Sequence, residues 1–121
     1  MRDDRSRLLD MLEAIQRIER YSGISQEAFV RDELVQTWMV YHLQAIGEAV
    51  TQLSEELRAR YPDIPWRAIA ATRHALVHAY FQVDLDEVLS TVQQDLPGLK
   101  TRIQAVLASD AAGGADSTPL P

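Results

Sequence analysis

Between residues 32 and 60 the apolar side chains recur at intervals of three and four: Val35, Trp38, Met39, Leu43, Ile46, Val50, Leu53 and Leu57, with His42 on the same stripe. That spacing gathers them on one face of a helix and is incompatible with the period of two that a half-buried strand needs. A helix this long with one apolar face must bury it, and the rest of the chain offers only other helices. Residues 4–21 repeat the pattern with Leu8, Leu9, Met11, Leu12, Ile15 and Ile18. Residues 84–107 do so with Leu85, Val88, Leu89, Val92, Leu96, Leu99, Ile103 and Leu107. There is no alternating run, no internal repeat and no glycine-rich phosphate loop. The fold class expected is therefore all-α, an antiparallel bundle of four main helices.

The boundaries follow from local chemistry. Asp3 or Asp4 can cap the first helix, and Ser22-Gly23 ends it. Ser25, with Glu27 nearby, reopens a short helical segment. Tyr61-Pro-Asp-Ile-Pro65 cannot continue the long second helix, so a third begins at Pro65 or Trp66, with Asp63 as a cap. Asp84 and Glu87 form a capping box for a fourth. Pro97 lies inside that fourth pattern and removes the bond to the Gln93 carbonyl, which predicts a kinked or split last helix. Gly47, in mid-helix, predicts a close helix crossing, and His42 a core histidine. Residues 1–108 read as one helical domain; residues 109–121 are small, polar and proline-bearing, and read as a disordered tail.

The chain has no cysteine, which excludes disulfides, thiolate metal sites and cysteine nucleophiles, and fits a cytoplasmic location. No apolar run approaches membrane-spanning length. The formal charge of −6 makes the whole molecule a poor polyanion binder. Against that background Arg58, Arg60, Arg67 and Arg73 face a single acid, Asp63, within residues 57–75. A local basic patch therefore exists.

It coincides with the segment WRAIAATRHALVHAY, residues 66–80, which holds two of the three histidines. Wound as a helix, Ala68, Ile69, Thr72, Ala75, Leu76 and Ala79 make its apolar face, while Arg67, His74 and His78 make a stripe roughly 20–40° wide on the far side. Arg73 and Tyr80, two turns apart, share the edge between them. A purely structural helix seldom spends its free face on such residues.

Arg73 to Tyr80 spell R-x4-H-x-Y. With Ile46-Gly-Glu-Ala49, Tyr61-Pro-x-Ile-Pro-Trp66, Val83-Asp-Leu-Asp86 and Asp95-Leu-Pro97 in this order, the chain resembles the HEPN superfamily, in particular its HepT-like toxin branch. The resemblance implies a HEPN-like bundle and a metal-independent RNA endonuclease that works as a homodimer, with the motif helices of two protomers at a shared cleft. It also implies a type VII-like toxin–antitoxin system, in which an MNT nucleotidyltransferase antitoxin neutralises the toxin by transferring AMP to the motif tyrosine, here Tyr80. The chain departs from the commonest family pattern at His74, where an asparagine or another polar residue usually follows the arginine.

The chemistry agrees with these residue types. Metal-free RNA cleavage needs a base for the 2′-hydroxyl proton, an acid for the leaving oxygen and a cation for the developing charge. Histidine titrates near neutrality and can fill either proton-transfer role; arginine stays charged and forks onto phosphate oxygens. The catalytic candidates are His78 as acid–base, Arg73 as phosphate clamp and His74 as a second proton-transfer group or a polar lining residue. Arg58, Arg60 and Arg67 are candidate RNA contacts. His74 and His78 could also hold zinc, but spacing fixes no third ligand, so no metal and no cofactor are assigned. Arg73 and His78 lie about 140° apart on an ideal helix, so a single protomer does not aim both at one point. The alternative function is a non-catalytic helical module that binds a nucleotide or a protein.

Overall fold

The helix over residues 32–60 forms, but as two. In the computed structural model, which describes residues 3–78 and 84–117 (side chains for 3–72 and 84–109), α3 runs Glu33–Thr51 and α4 runs Glu55–Arg60. Ser54 opens α4: its hydroxyl accepts the Leu57 N–H at 3.1 Å. The Asp4 carboxylate in turn accepts the Ser54 N–H at 2.8 Å and its hydroxyl at 2.6 Å. A continuous helix would leave those groups without this arrangement. The apolar stripe conceals the break because Leu53 and Leu57 are both buried on either side of it.

The other elements are α1 (Asp4–Glu19), α2 (Gln26–Arg31), α5 (Trp66–His78), α6 (Leu85–Ser90) and α7 (Leu96–Ser117), with one π-helical turn, Thr91–Asp95, joining α6 to α7. Side chains satisfy the orphan amides at several starts. Asp3 accepts the Ser6 N–H at 2.8 Å, Ser25 that of Ala28 at 3.1 Å, and Asp84 that of Glu87 at 3.1 Å. Asp32 ends α2 and caps α3 at once, taking the Val35 N–H at 3.0 Å.

α3 is the hub. It packs against α1 on one side and α5 on the other, and α7 closes the bundle against α1. Leu8, Met11, Ile15 and Ile18 of α1, Phe29 of α2, Met39 and Val50 of α3 and Ile103 of α7 are wholly buried in one core. The chain is thus an all-α bundle with a split terminal helix. The split lies a turn earlier than Pro97 itself: the Leu96 N–H reaches back to the Thr91 carbonyl, five residues away. Widening the turn ahead of a proline relieves the clash its ring makes with the carbonyl four residues before it. Gln93, within this turn, donates from Nε2 to the carbonyls of Ser22 and Ile24, 2.9 and 3.1 Å away. Lys100 meets Glu19 at 3.0 Å nearby.

α7 continues to Ser117, past residue 108, where periodicity put the end of the domain. Leu107 is the last buried residue among those whose side chains are described. Extending a formed helix needs no new nucleus, and alanine favours it.

His42 is buried on α3, 7% exposed, edge-on to Trp38 (4.5 Å between ring centres) and to Tyr41 (5.0 Å). Burial pushes its imidazole below the ordinary histidine range; Arg17 pushes the same way and Glu13 opposes them. Gly47 is also buried on α3.

Candidate active site

The motif helix is positioned by the turn before it. Pro62 and Pro65 disfavour the α conformation at Tyr61 and Ile64, the residues before them, and the turn winds about the Tyr61 carbonyl. That oxygen accepts the Ile64 N–H at 3.2 Å and the Trp66 indole N–H at 3.0 Å. Ile64 and Trp66 are 4% and 7% exposed, which makes them anchors in the core, not platforms for bases. The Pro65 carbonyl takes the Ile69 N–H at 3.0 Å, the first bond of α5. Asp63, expected as a cap, contributes its carbonyl to Arg102 of α7, whose Nη1 donates at 2.6 Å. No sequence signal linked residues 63 and 102; the contact ties α7 to the start of the motif helix.

Arg73, His74 and His78 all fall within α5, at the helical positions their spacing required, and their side chains lie outside the described set. Tyr80 lies outside the described residues altogether. Of the candidate RNA contacts, Arg67 and Arg60 are exposed, whereas Arg58 is half-buried. Nε of Arg58, like that of Arg7 on α1, is buried without a hydrogen-bond partner among the described residues.

A cleft of about 500 Å³ runs between α3, α5, the π turn and α7. Among the described residues, Leu43, Ile46, Ile69, Leu96 and Leu99 give it an apolar lining, with Glu87 and Asp95 also at its walls and Arg102, already bonded to Asp63, as the cation lining it. Such a surface does not suit a polyanion. It lies against Ala68, Ile69 and Thr72, across the helix from positions 67, 74 and 78, so it backs the motif stripe. Among the described residues no group of three histidine, aspartate or glutamate side chains could hold a metal ion, and no helix is long and apolar enough to cross a membrane.

A family model described as ribonuclease HepT-like matches residues 11–106, which enclose the motif helix. The chain is 37% identical over 93 residues to a protein of Caldanaerobacter subterraneus subsp. tengcongensis named as a putative RNase, covering 77% of this chain and 83% of that one. It is 36% identical over 104 residues to "Probable ribonuclease HepT" of Thermococcus cleftensis, covering 85% and 94%. A further relative named as a putative RNase, from Methanocaldococcus jannaschii, is 31% identical over 107 residues, 88% of each chain. No solved structure gives a significant match.

Proposed function

The chain belongs to the HepT-like ribonuclease family, and from that premise we propose that it is a metal-independent RNA endonuclease acting as the toxin of an HEPN/MNT pair. The observation that carries this is the family match across residues 11–106, with R-x4-H-x-Y spelled by residues 73–80 inside it. His78 takes the 2′-hydroxyl proton, the 2′-oxygen attacks the adjacent phosphorus, and a protonated histidine returns a proton to the departing 5′-oxygen. His74, one turn from His78 and on the same stripe, is the second group suited to that exchange. Arg73 holds the phosphate oxygens as their charge grows. Arg67, Arg60 and Arg58 extend the positive surface along the RNA. The 140° between positions 73 and 78 on an ideal helix is met by two protomers sharing the site, Arg73 of one serving His78 of the other.

The antitoxin is a nucleotidyltransferase that moves AMP from ATP to Tyr80. The phenolic oxygen bonds to the α-phosphorus, pyrophosphate leaves and the phenol proton goes to solvent. The adenylate then adds a negative phosphate seven residues along the chain from Arg73, in competition with RNA phosphate.

Purified protein should cleave RNA equally with and without chelator, and His78→Ala or Arg73→Ala should lower the rate by about 10²–10⁴-fold. Equal cleavage by wild type and His78→Ala would sink the catalytic assignment in favour of a non-catalytic binding module. Co-expression with the nucleotidyltransferase should add one AMP to wild type and none to Tyr80→Phe; AMP on both would refute Tyr80 as acceptor.

A further inference from the structure

The apolar face of α5 is only partly covered. Ala68 is exposed and Ile69 and Thr72 are half-buried, although the helical spacing puts all three on the side that should pack. α5 rests on α3, whereas α7 rests on α1 and the π turn, so the cleft of about 500 Å³ stays open between α5 and α7. Among the described residues its most buried lining side chains are Ile46 and Leu43 of α3, 2% and 4% exposed. That volume lies within the range of about 300–1,000 Å³ that takes a single small organic molecule.

The α7 wall is kept low by a glycine. Gly98 lies in the first turn of α7, where its backbone is ordinary helix, and a Cβ built on it would meet no atom within 4 Å. Among the described residues neither a turn nor a close approach requires a glycine there, and alanine would favour the helix. What the missing side chain provides is room beside the cleft that Gly98 lines. The π turn supplies Thr91, Gln94 and Asp95 to the same cleft, and turns of this kind recur at functional sites.

We propose that this cleft binds a small organic cation, an apolar or aromatic body carrying one amine. The body lies against Ile46, Ile69 and Leu99, and the ammonium meets Glu87 and Asp95. Both carboxylates are exposed at the cleft's edge, and among the described residues no side chain is paired with either. The Arg102 guanidinium has its Nη1 committed to the Asp63 carbonyl. The described lining therefore sets two negative charges against one positive, which favours a cation and disfavours a phosphate. Positions 67, 74 and 78 lie across α5 from the cleft, so this site stands apart from the motif stripe and holds whether or not the chain cleaves RNA.

Phenylbutylamine, phenylbutanol and phenylbutyrate share one apolar body and differ in charge. Each is titrated into the full chain carrying isotope-labelled isoleucine and leucine methyls, read by NMR. The amine should give saturable shifts at Ile46, Ile69 and Leu99 with a Kd on the order of 1 mM or below, about tenfold tighter than the acid, with the alcohol between. The double variant Glu87→Gln, Asp95→Asn should abolish that preference and keep the binding of the alcohol. Gly98→Leu and Ala68→Phe, which fill the cleft from its two walls, should each abolish the shifts with unchanged helical circular dichroism. Equal or tighter binding of the acid would overturn the cation assignment. Amine shifts that persist undiminished in both filled variants would place the amine elsewhere and overturn the site. No saturable binding of the amine at about 10 mM would overturn the small-molecule reading. If Gly98→Leu then abolished the complex with the nucleotidyltransferase, the cleft would belong to that protein.

Discussion

Ser54→Ala should destabilise the fold by about 2.5 kcal/mol, the sum of two separable losses. The hydroxyl accepts the Leu57 N–H at 3.1 Å, and Leu57 is wholly buried, so its amide loses the only hydrogen bond described for it at the head of α4. A lost cap of this type costs about 1 kcal/mol. The hydroxyl also donates to the Asp4 carboxylate at 2.6 Å in a half-buried position. A bond to an ionised partner is worth about 1.5 kcal/mol at the lower end of its range, which applies because Asp4 keeps the Ser54 N–H. Asp4→Ala removes both of its bonds and should cost a similar amount. The double variant counts the shared hydroxyl–carboxylate bond once, so the two losses should fall short of additive by about 1.5 kcal/mol. Urea unfolding followed by circular dichroism at unchanged m-value measures all three, and Ser54→Thr should restore most of the cap. A single-variant loss below about 0.5 kcal/mol, or additivity within about 0.3 kcal/mol, would refute the assignment of the break between α3 and α4 to this relay.

Other perturbations follow from the same contacts. His42 is held below its ordinary pKa by burial, so the unfolded chain binds its proton first as pH falls; the stability it contributes is present above the unfolded value near 6.5 and is lost on acidification towards the lower folded value. His42→Phe should flatten that part of the stability profile, measured by urea midpoints across pH 5–8, and an unchanged slope would refute it. Trp66→Phe removes the indole bond to the Tyr61 carbonyl and some core volume, and should cost about 1–3 kcal/mol in urea unfolding. Phe29→Ala empties a wholly buried position in a helix of 6 residues and should cost about 3–5 kcal/mol, read as a fall in Tm with loss of α2 amide protection in hydrogen exchange.

The all-helical bundle and several of its caps were legible because the signals are local. Asp3, Ser25 and Asp84 sit one residue before their helices and bond within the first turn. What escaped the sequence depended on distant partners. Nothing in Thr51-Gln-Leu-Ser54 announces a break, since the apolar stripe passes through it unshifted; the break needs Asp4, fifty residues away, to hold Ser54. Pro97 announced a distortion but not its form, because a wider turn can be placed at any nearby register and the site is selected by packing. The motif was legible as residue types at fixed helical positions. Its supports, Arg102 on the Asp63 carbonyl and Trp66 on that of Tyr61, arise from how α7 and the proline turn dock. Arg58 shows the limit of counting charges: a cation in a basic stretch can have its stem and Nε drawn into the bundle.

The Gln93 amide clasps the connection between α1 and α2 from about seventy residues downstream, and Ile103, Val106 and Leu107 complete a core that begins at Leu8. During synthesis the segment bearing Arg73 and His78 therefore leaves the ribosome before the helices that close the bundle around α1 and α3. Contacts of such long sequence separation form only after the intervening chain is made. The nuclease scaffold is consequently closed by its last element: while the messenger is still being read, α5 has α3 to lean on but no closed bundle, and the order of translation itself delays the finished fold until α7 has emerged.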